Sequence, residues 1–314
     1  MNIVCVEPLG ISQEHFEELR NEFANAGHAF TYYMDRKEDE TSLIDRMHDS
    51  DIVVISNIKL SANVLQACPH LQMLSVAFTG LDHIDLAYCK AHNIAVHNAA
   101  GYSTTAVSEL AVGLMIDVMR KITSFDGTIR QGGCRGAFLG RELKGKTVGV
   151  VGTGAIGTAT IRLLLAFGCK VLAYNRSEHE DVIKMGATYT SLDNLMRESD
   201  IVTLHVPLNA ETHHLVSADK LALMKPTAIL INTARGNVVD IDALADALKK
   251  GLLAGAGIDV YEQEPPLPST HSLIGAPNCV MVPHVGYATR EAFDIRAGIV
   301  MNTVRRHLGL SERC

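Results

Sequence analysis

No uninterrupted run in this 314-residue chain approaches the roughly 18 apolar residues that a membrane-spanning helix requires. The longest candidate, from Ala106 to Met119, is broken by Glu109 and Asp117. Basic excess is lacking too: the formal net charge of -7 argues against a general affinity for nucleic acid or anionic membranes. A local basic pocket for a small anion stays compatible with that balance. The opening residues, MNIVCVEPLG, have no basic segment ahead of a long apolar core, so they read as a first β-strand rather than a secretion signal. Seven cysteines (Cys5, Cys68, Cys89, Cys134, Cys169, Cys279 and Cys314) are dispersed, with no CxxC and no Cys/His ligand spacing. That pattern excludes a disulfide framework and a zinc site, and it predicts free thiols in the reducing cytoplasm. Low-complexity linkers and tandem repeats of fixed period are absent as well.

What is present is ordinary globular material, 47% hydrophobic and 20% charged, in a chain long enough for two cores. Short β-branched runs alternate with longer helical patterns, the signature of parallel α/β architecture. Strands are expected at Ile3–Val6, Ile52–Ile55, Met73–Val76, Ile94–Val96, Thr147–Val151, Lys170–Tyr174, Ile201–Leu204, Ala228–Ile231 and Gly255–Ile258. Runs such as VGVVG and AILIN are apolar throughout, as suits strands covered on both faces. Helical patterns include Ser12–Ala26, Ile156–Ala166 and Ile241–Lys249, with two long ones at Thr104–Arg120 and Thr289–Leu308. The long pair flanks a complete βαβ series of its own. The expected organisation is therefore a domain of residues 99–286 inserted into one made of 1–98 and 287–314, with the two long helices crossing between them.

The segment KTVGVVGTGAIGTATIRLLLAFG supplies strand, glycine turn and helix in that order. Gly152, Gly154 and Gly157 fit G-x-G-x-x-G: the first for a tight turn, the second for close approach to a pyrophosphate, the third for helix-on-strand packing. The amides of Ala155 and Ile156 open the helix, where its positive end would face phosphates. The next strand should end in a carboxylate if a ribose 2′-hydroxyl is to be held as in NAD sites. It ends instead in Asn175, followed by Arg176 and Ser177. Asparagine does not repel a 2′-phosphate and Arg176 can pair with one, so the cofactor is expected to be NAD(P)(H) with a slight lean to NADP(H). In the opposing reading, Arg176 is a solvated charge and Glu178 or Glu180 serves NAD(H).

Three later segments each place one suitable polar group after a strand: Arg235 in INTARGNVVD, Asp259 and Glu264 in GIDVYEQEPP, and His284 in MVPHVGYAT. Ligands of open parallel sheets gather at the carboxyl ends of strands, so these residues can converge. A guanidinium can grip a carboxylate and polarise a carbonyl, an imidazole can donate the proton, and a carboxylate can orient that imidazole. Such a set suits reduction of a 2-oxo acid. His205, His213 and His214 suggest a metal site only superficially, since no carboxylate or cysteine spacing completes one; no metal is expected.

In order and spacing, VGVVGTGAIG, HVPLNAET, NTARGNVVD, GIDVYEQEPP and PHVGYAT resemble the D-isomer-specific 2-hydroxyacid dehydrogenase family, across essentially the whole chain. The resemblance implies two Rossmann-like α/β domains with parallel sheets, the nucleotide-binding one inserted into a flavodoxin-like substrate domain, and a homodimer built largely on the nucleotide domains. It implies Arg235 as substrate anchor, His284 as acid/base and Glu264 as its support. Cofactor contacts are implied at Ala155, Ile156, Asn175, Val206, Pro207, Thr212, Thr233, Ala234, Arg235 and Asp259, the last near the nicotinamide. The segment AFTGLDHID resembles the family's carboxylate loop, whose amides at Thr79 and Gly80 would receive the substrate anion. The implied reaction moves a hydride between nicotinamide and a small D-2-hydroxy acid/2-oxo acid pair, such as glycerate/hydroxypyruvate, lactate/pyruvate or a longer analogue. Ile55 and Val76 stand where phosphoglycerate dehydrogenases tend to carry arginines, which favours an unphosphorylated acid. Glu264 argues against formate dehydrogenases, which have a neutral amide there. A dinucleotide-sensing regulatory protein of the same fold is the alternative; it calls for a long extension or partner surface, which the sequence to Cys314 does not carry. A flavin or S-adenosylmethionine protein would have no use for the Arg–Glu–His set.

Overall fold

A computed structural model describes residues 1–313; Cys314, one of the expected free thiols, lies outside the described residues. Contacts divide the chain into two units, Met1–Ser103 with the segment from Ala288 onward, and Thr104–Tyr287.

The first unit holds five parallel strands: β1 (Asn2–Cys5), β2 (Ala29–Tyr32), β3 (Ile52–Ile55), β4 (Met73–Val76) and β5 (Ala95–Asn98). Their order, β2-β1-β3-β4-β5, is the flavodoxin-like one. β3 and β4 are buried at every residue, which is why their runs are wholly apolar apart from Ser75. Ser75 turns its hydroxyl to good use, donating to the Val300 carbonyl (3.0 Å) in the helix Arg290–His307. Buried Arg296 in the same helix donates to the carbonyls of Leu9 (2.7 Å) and Ala77 (3.4 Å) and lies 4.3 Å above the Phe293 ring. Arg305 forks onto both oxygens of Glu22 at 2.7 and 2.9 Å. These contacts fasten the returning C-terminal helix to the first unit.

The second unit holds seven parallel strands: β6 (Thr147–Val151), β7 (Lys170–Tyr174), β8 (Thr188–Tyr189), β9 (Ile201–Leu204), β10 (Ile229–Asn232), β11 (Gly255–Ile258) and β12 (Cys279–Met281). Their order, β12-β11-β10-β9-β6-β7-β8, is that of a Rossmann sheet extended by one strand, with the winding reversing between β6 and β9. Alternation along each strand splits the core in two. Val151, Leu204, Leu230 and Ile258 pack with Leu195, Leu244 and Leu248, whereas Val148, Val150, Ile201 and Ile231 pack with Met115, Ile161 and Leu164. Gly149 is required by this packing, because a Cβ there would fall 2.3 Å from a Leu195 methyl.

Three strands, β2, β8 and β12, have no counterpart in the sequence expectations, and each is the edge of its sheet. Edge strands are covered less completely: β2 and β8 carry no continuous apolar run, and β12, though apolar, is only 3 residues long. The helix Ile122–Arg130 escaped notice for the same reason: none of its residues is buried. Each long helix lies within one unit: Thr104–Arg120 opens the second and Arg290–His307 lies in the first. Among the described residues no helix is long and apolar enough to cross a membrane.

The Arg305 fork, first among the influences on Glu22, holds that carboxyl below its ordinary range. A lowered native pKa stabilises the fold above the unfolded value of about 4.3 and ceases to do so as pH falls through the native one. Glu22→Gln should therefore reduce stability by about 1–3 kcal/mol at neutral pH. In thermal unfolding followed by circular dichroism, the gap between variant and parent should close on acidification.

Candidate active site

The turn after β6 is shaped by what its glycines touch. Gly152 has φ +96°, a left-handed conformation, and a Cβ on it would sit 2.6 Å from the His205 carbonyl oxygen. A Cβ on Gly157 would fall 1.9 Å from the Gly152 carbonyl, so the helix Ala155–Ala166 approaches the strand only through glycine. Gly154 differs: nothing lies within 4 Å of a Cβ built there. It caps the helix with no side-chain hydrogen bond, which leaves the opening amides at Ala155 and Ile156 facing open space beside an uncovered residue. That is the environment a pyrophosphate needs.

Beyond β7, the Asn175 side-chain amide donates to the Ser177 carbonyl (3.0 Å) and to Nε2 of His179 (3.2 Å). Both its hydrogens are engaged, so Asn175 presents its carbonyl oxygen, an acceptor. Arg176 Nη1 stands 3.5 Å from Glu211 Oε2, a partner that the sequence did not suggest. Val206 and Pro207 follow β9, and the Thr212 hydroxyl donates to the Pro207 carbonyl at 2.6 Å. After β10, the Thr233 hydroxyl is buried with no hydrogen-bond partner, while the Ala234 amide is held by Asn232 Oδ1 (3.0 Å). An open glycine cradle, uncapped amides and an orphaned hydroxyl are features that a dinucleotide fits.

Arg235, Asp259 and His284 follow β10, β11 and β12, which are neighbours in the sheet. Arg235 is half-buried, and its Nη1 donates to the Ala234 carbonyl (2.8 Å). Asp259 is almost wholly buried, and its oxygens accept from the amides of Val285 (2.7 Å) and Gly286 (2.9 Å). Burial pushes its carboxyl upward; the two amides pull the other way. Its carboxylate thus organises the His284 segment, a service the sequence did not reveal. His284 adopts a left-handed backbone (φ +52°), and its Nδ1 meets both Glu264 oxygens, at 2.8 and 2.9 Å. A carboxylate only accepts, so Nδ1 carries the hydrogen and Nε2 is the nitrogen left for proton exchange.

Thr79 and Gly80 stand just past β4 in the first unit, Thr79 exposed, with its carbonyl accepting from Asn98 Nδ2 at 2.7 Å. Arg235, Glu264, His284 and the dinucleotide candidates belong to the second unit. Ile55 and Val76 prove to be fully buried strand residues. Their apolar character also answers to the core of the first sheet. His205 is half-buried, its ring shares a 3.1 Å hydrogen bond with Thr203 Oγ1, and desolvation of that ring pushes its pKa down to about 4. His213 and His214 stack on each other with centroids 4.1 Å apart. Among the described residues no group of three or more His, Cys, Asp or Glu could hold a metal ion.

Sequence reasoning missed Val285, Gly286 and Glu211. Only the glycine had a signal, standing two residues after a polar candidate. A contrast between two glycines checks the turn. Gly157→Ala should destabilise the protein by about 1–3 kcal/mol through overpacking. Gly154→Ala should melt within about 0.5 kcal/mol of the parent, yet weaken dinucleotide binding about tenfold in a fluorescence titration.

Comparisons with known proteins agree with this geometry. Residues 112–286 match the family model described as D-isomer specific 2-hydroxyacid dehydrogenase, NAD binding domain. A glyoxylate reductase of Thermofilum pendens is 44% identical over 80% of this chain and 76% of its own. The crystal structure of D-lactate dehydrogenase from Aquifex aeolicus, complexed with NAD and lactic acid, superposes with a TM-score of 0.84 at 30% identity, covering 98% of this chain and 96% of that one. An acyclic imino acid reductase in complex with NADPH and D-arginine gives 0.88 at 29% identity, covering 98% and 97%. With its parallel sheets, glycine turn and such relatives, the chain belongs to the D-isomer-specific 2-hydroxyacid dehydrogenases, enzymes that use a nicotinamide dinucleotide and act on CH–OH groups.

Proposed function

We propose that this enzyme interconverts a small, unphosphorylated 2-oxo acid and its D-2-hydroxy acid, with glyoxylate, hydroxypyruvate and pyruvate as the leading oxo acids. The glyoxylate reductase and the lactate-bound relative support that substrate class. In this reading the second unit binds the dinucleotide, and the first, with Thr79 and Gly80, receives the substrate carboxylate. The observation that carries it is the His284–Glu264 pair, 2.8 and 2.9 Å apart, on the sheet edge that also presents Arg235.

Bound reduced nicotinamide supplies the hydride that carbon 2 of the oxo acid receives. Arg235 holds the acid through its carboxylate and draws electron density from the carbonyl oxygen. His284, its Nδ1–H fixed by Glu264, passes the Nε2 proton to that oxygen as the C–O bond becomes single, and regains a proton from water. In the oxidative direction the same nitrogen takes the hydroxyl proton. Asp259 keeps the ring aimed by holding the backbone on either side of Val285 and Gly286.

For the cofactor, Asn175 in place of a carboxylate at the end of β7 and the presence of Arg176 support a slight lean to NADP(H), with NAD(H) also accepted. A homodimer is supported by the apolar side chains that the segment after Arg120 exposes, namely Ile122, Ile129 and Leu139. A cytoplasmic setting is supported by the six described cysteines, all free thiols and three of them fully buried within the first unit.

A panel of 2-oxo acids, assayed by loss of reduced-nicotinamide absorbance with NADH and NADPH in parallel, tests substrate and cofactor together; no turnover of any oxo acid would overturn the reading. His284→Ala should lower kcat by about 10²–10⁴-fold, whereas Arg235→Ala should raise KM as well as lower kcat/KM. Full turnover by the His284 variant across the pH range would remove the imidazole from proton transfer.

A further inference from the structure

Arg176 and Glu211 come from separate strand ends, yet their side chains form an ion pair of 3.5 Å. Arg176 follows β7 and Glu211 lies in the turn after β9, and those strands flank β6 in the sheet. The pair therefore bridges the carboxyl end of β6, where the glycine turn Gly152–Gly154 begins the dinucleotide site. Each partner is held by its own local frame. On one side, Asn175 ties to Ser177 and His179, and Tyr189 Oη both accepts from the His179 amide (3.1 Å) and bonds Thr153 Oγ1 (2.8 Å). On the other, Asn209 Oδ1 accepts from the amides of Glu211 (2.9 Å) and Thr212 (3.1 Å), while Thr212 is fastened to Pro207. Two charges projected from prearranged loops meet across the carboxyl end of β6.

We infer that Glu211 is a specificity-determining residue for the dinucleotide, holding the Arg176 guanidinium and opposing a 2′-phosphate while leaving a 2′-hydroxyl undisturbed. The inference rests on the reading that segment 175–177 faces the adenosine ribose. A ribose hydroxyl can donate to the free carbonyl oxygen of Asn175, which needs neither charged residue. A 2′-phosphate offers only acceptors at neutral pH, and both Asn175 amide hydrogens are engaged. Its donors must come from Arg176, in competition with the Glu211 carboxylate. Both side chains are largely exposed, at 82% and 71%, so solvent screens the pair and keeps the discrimination graded rather than absolute.

Isothermal titration of the full-length protein with NADP⁺ and with NAD⁺, in the absence of substrate, tests this directly. Glu211→Gln should tighten NADP⁺ about three- to tenfold, as removal of one nearby negative charge in a partly screened site allows. Its affinity for NAD⁺ should stay within about twofold, and its melting temperature near that of the parent, as for other exposed substitutions. In the Arg176→Gln background the same change should lose its selective effect, since the guanidinium it releases is gone. If Arg176→Gln weakens NADP⁺ but Glu211→Gln changes both dinucleotides equally or neither, the role of Glu211 is overturned and the ribose reading stands. If Arg176→Gln leaves the NADP⁺/NAD⁺ ratio untouched, the ribose reading itself fails. Adenosine 2′,5′-bisphosphate against 5′-AMP repeats the comparison without the nicotinamide half, and equal responses of these two probes to Glu211→Gln would likewise overturn the inference.

Discussion

A single buried carboxylate at the end of β11 governs the geometry of the candidate site. Asp259 accepts hydrogen bonds from the amides of Val285 and Gly286, and its own carbonyl accepts from the His284 amide at 2.9 Å. Those bonds bend the chain so that His284 takes a left-handed backbone, which costs a non-glycine residue about 1–3 kcal/mol. Hydrogen bonds to a charged group contribute about 1.5–3 kcal/mol each, set against that strain and against the desolvation of a buried carboxylate. Gly286 is required for the arrangement, because a Cβ there would fall 2.8 Å from Asp259 Oδ2. The imidazole then reaches Glu264, which settles which ring nitrogen carries hydrogen.

This bend works because the whole sheet is parallel. Every strand of the second unit ends on the same edge, so the residues following β10, β11 and β12 are neighbours although as many as 49 positions separate Arg235 from His284. The same edge carries the glycine turn of β6, next to the point where the winding reverses. The glycine turn and the Arg235, Glu264 and His284 segments thus share one rim of one sheet, above a core with two apolar faces.

The segment after β7 on that rim carries an amide and an ion pair instead of a carboxylate at position 175. Solved relatives of the same fold hold NAD in one case and NADPH in another. An exposed pair such as Arg176–Glu211 suits a choice between the two, since it alters selectivity without burdening the fold.

Fully buried strands and the glycine fingerprint were legible because burial and φ constraints write themselves into residue type. VGVVG, AILIN and G-x-G-x-x-G admit few other structures, and the Arg235, Glu264 and His284 motifs declared their chemistry by residue type. Edge strands β2 and β8 left no such mark, since half-covered residues face weak selection for apolar character, and β12, though apolar, is only 3 residues long. Ile55 and Val76 show that one residue type can have two causes, since their apolar character also answers to the core of the first sheet. The amino-acid order alone therefore determined the fold class, the glycine turn and the residue types of the candidate site. Tertiary structure decided that Asp259 serves the backbone of the histidine loop and that Glu211 partners Arg176, because both depend on contacts between strand ends remote in sequence, where no local periodicity records who the neighbour will be.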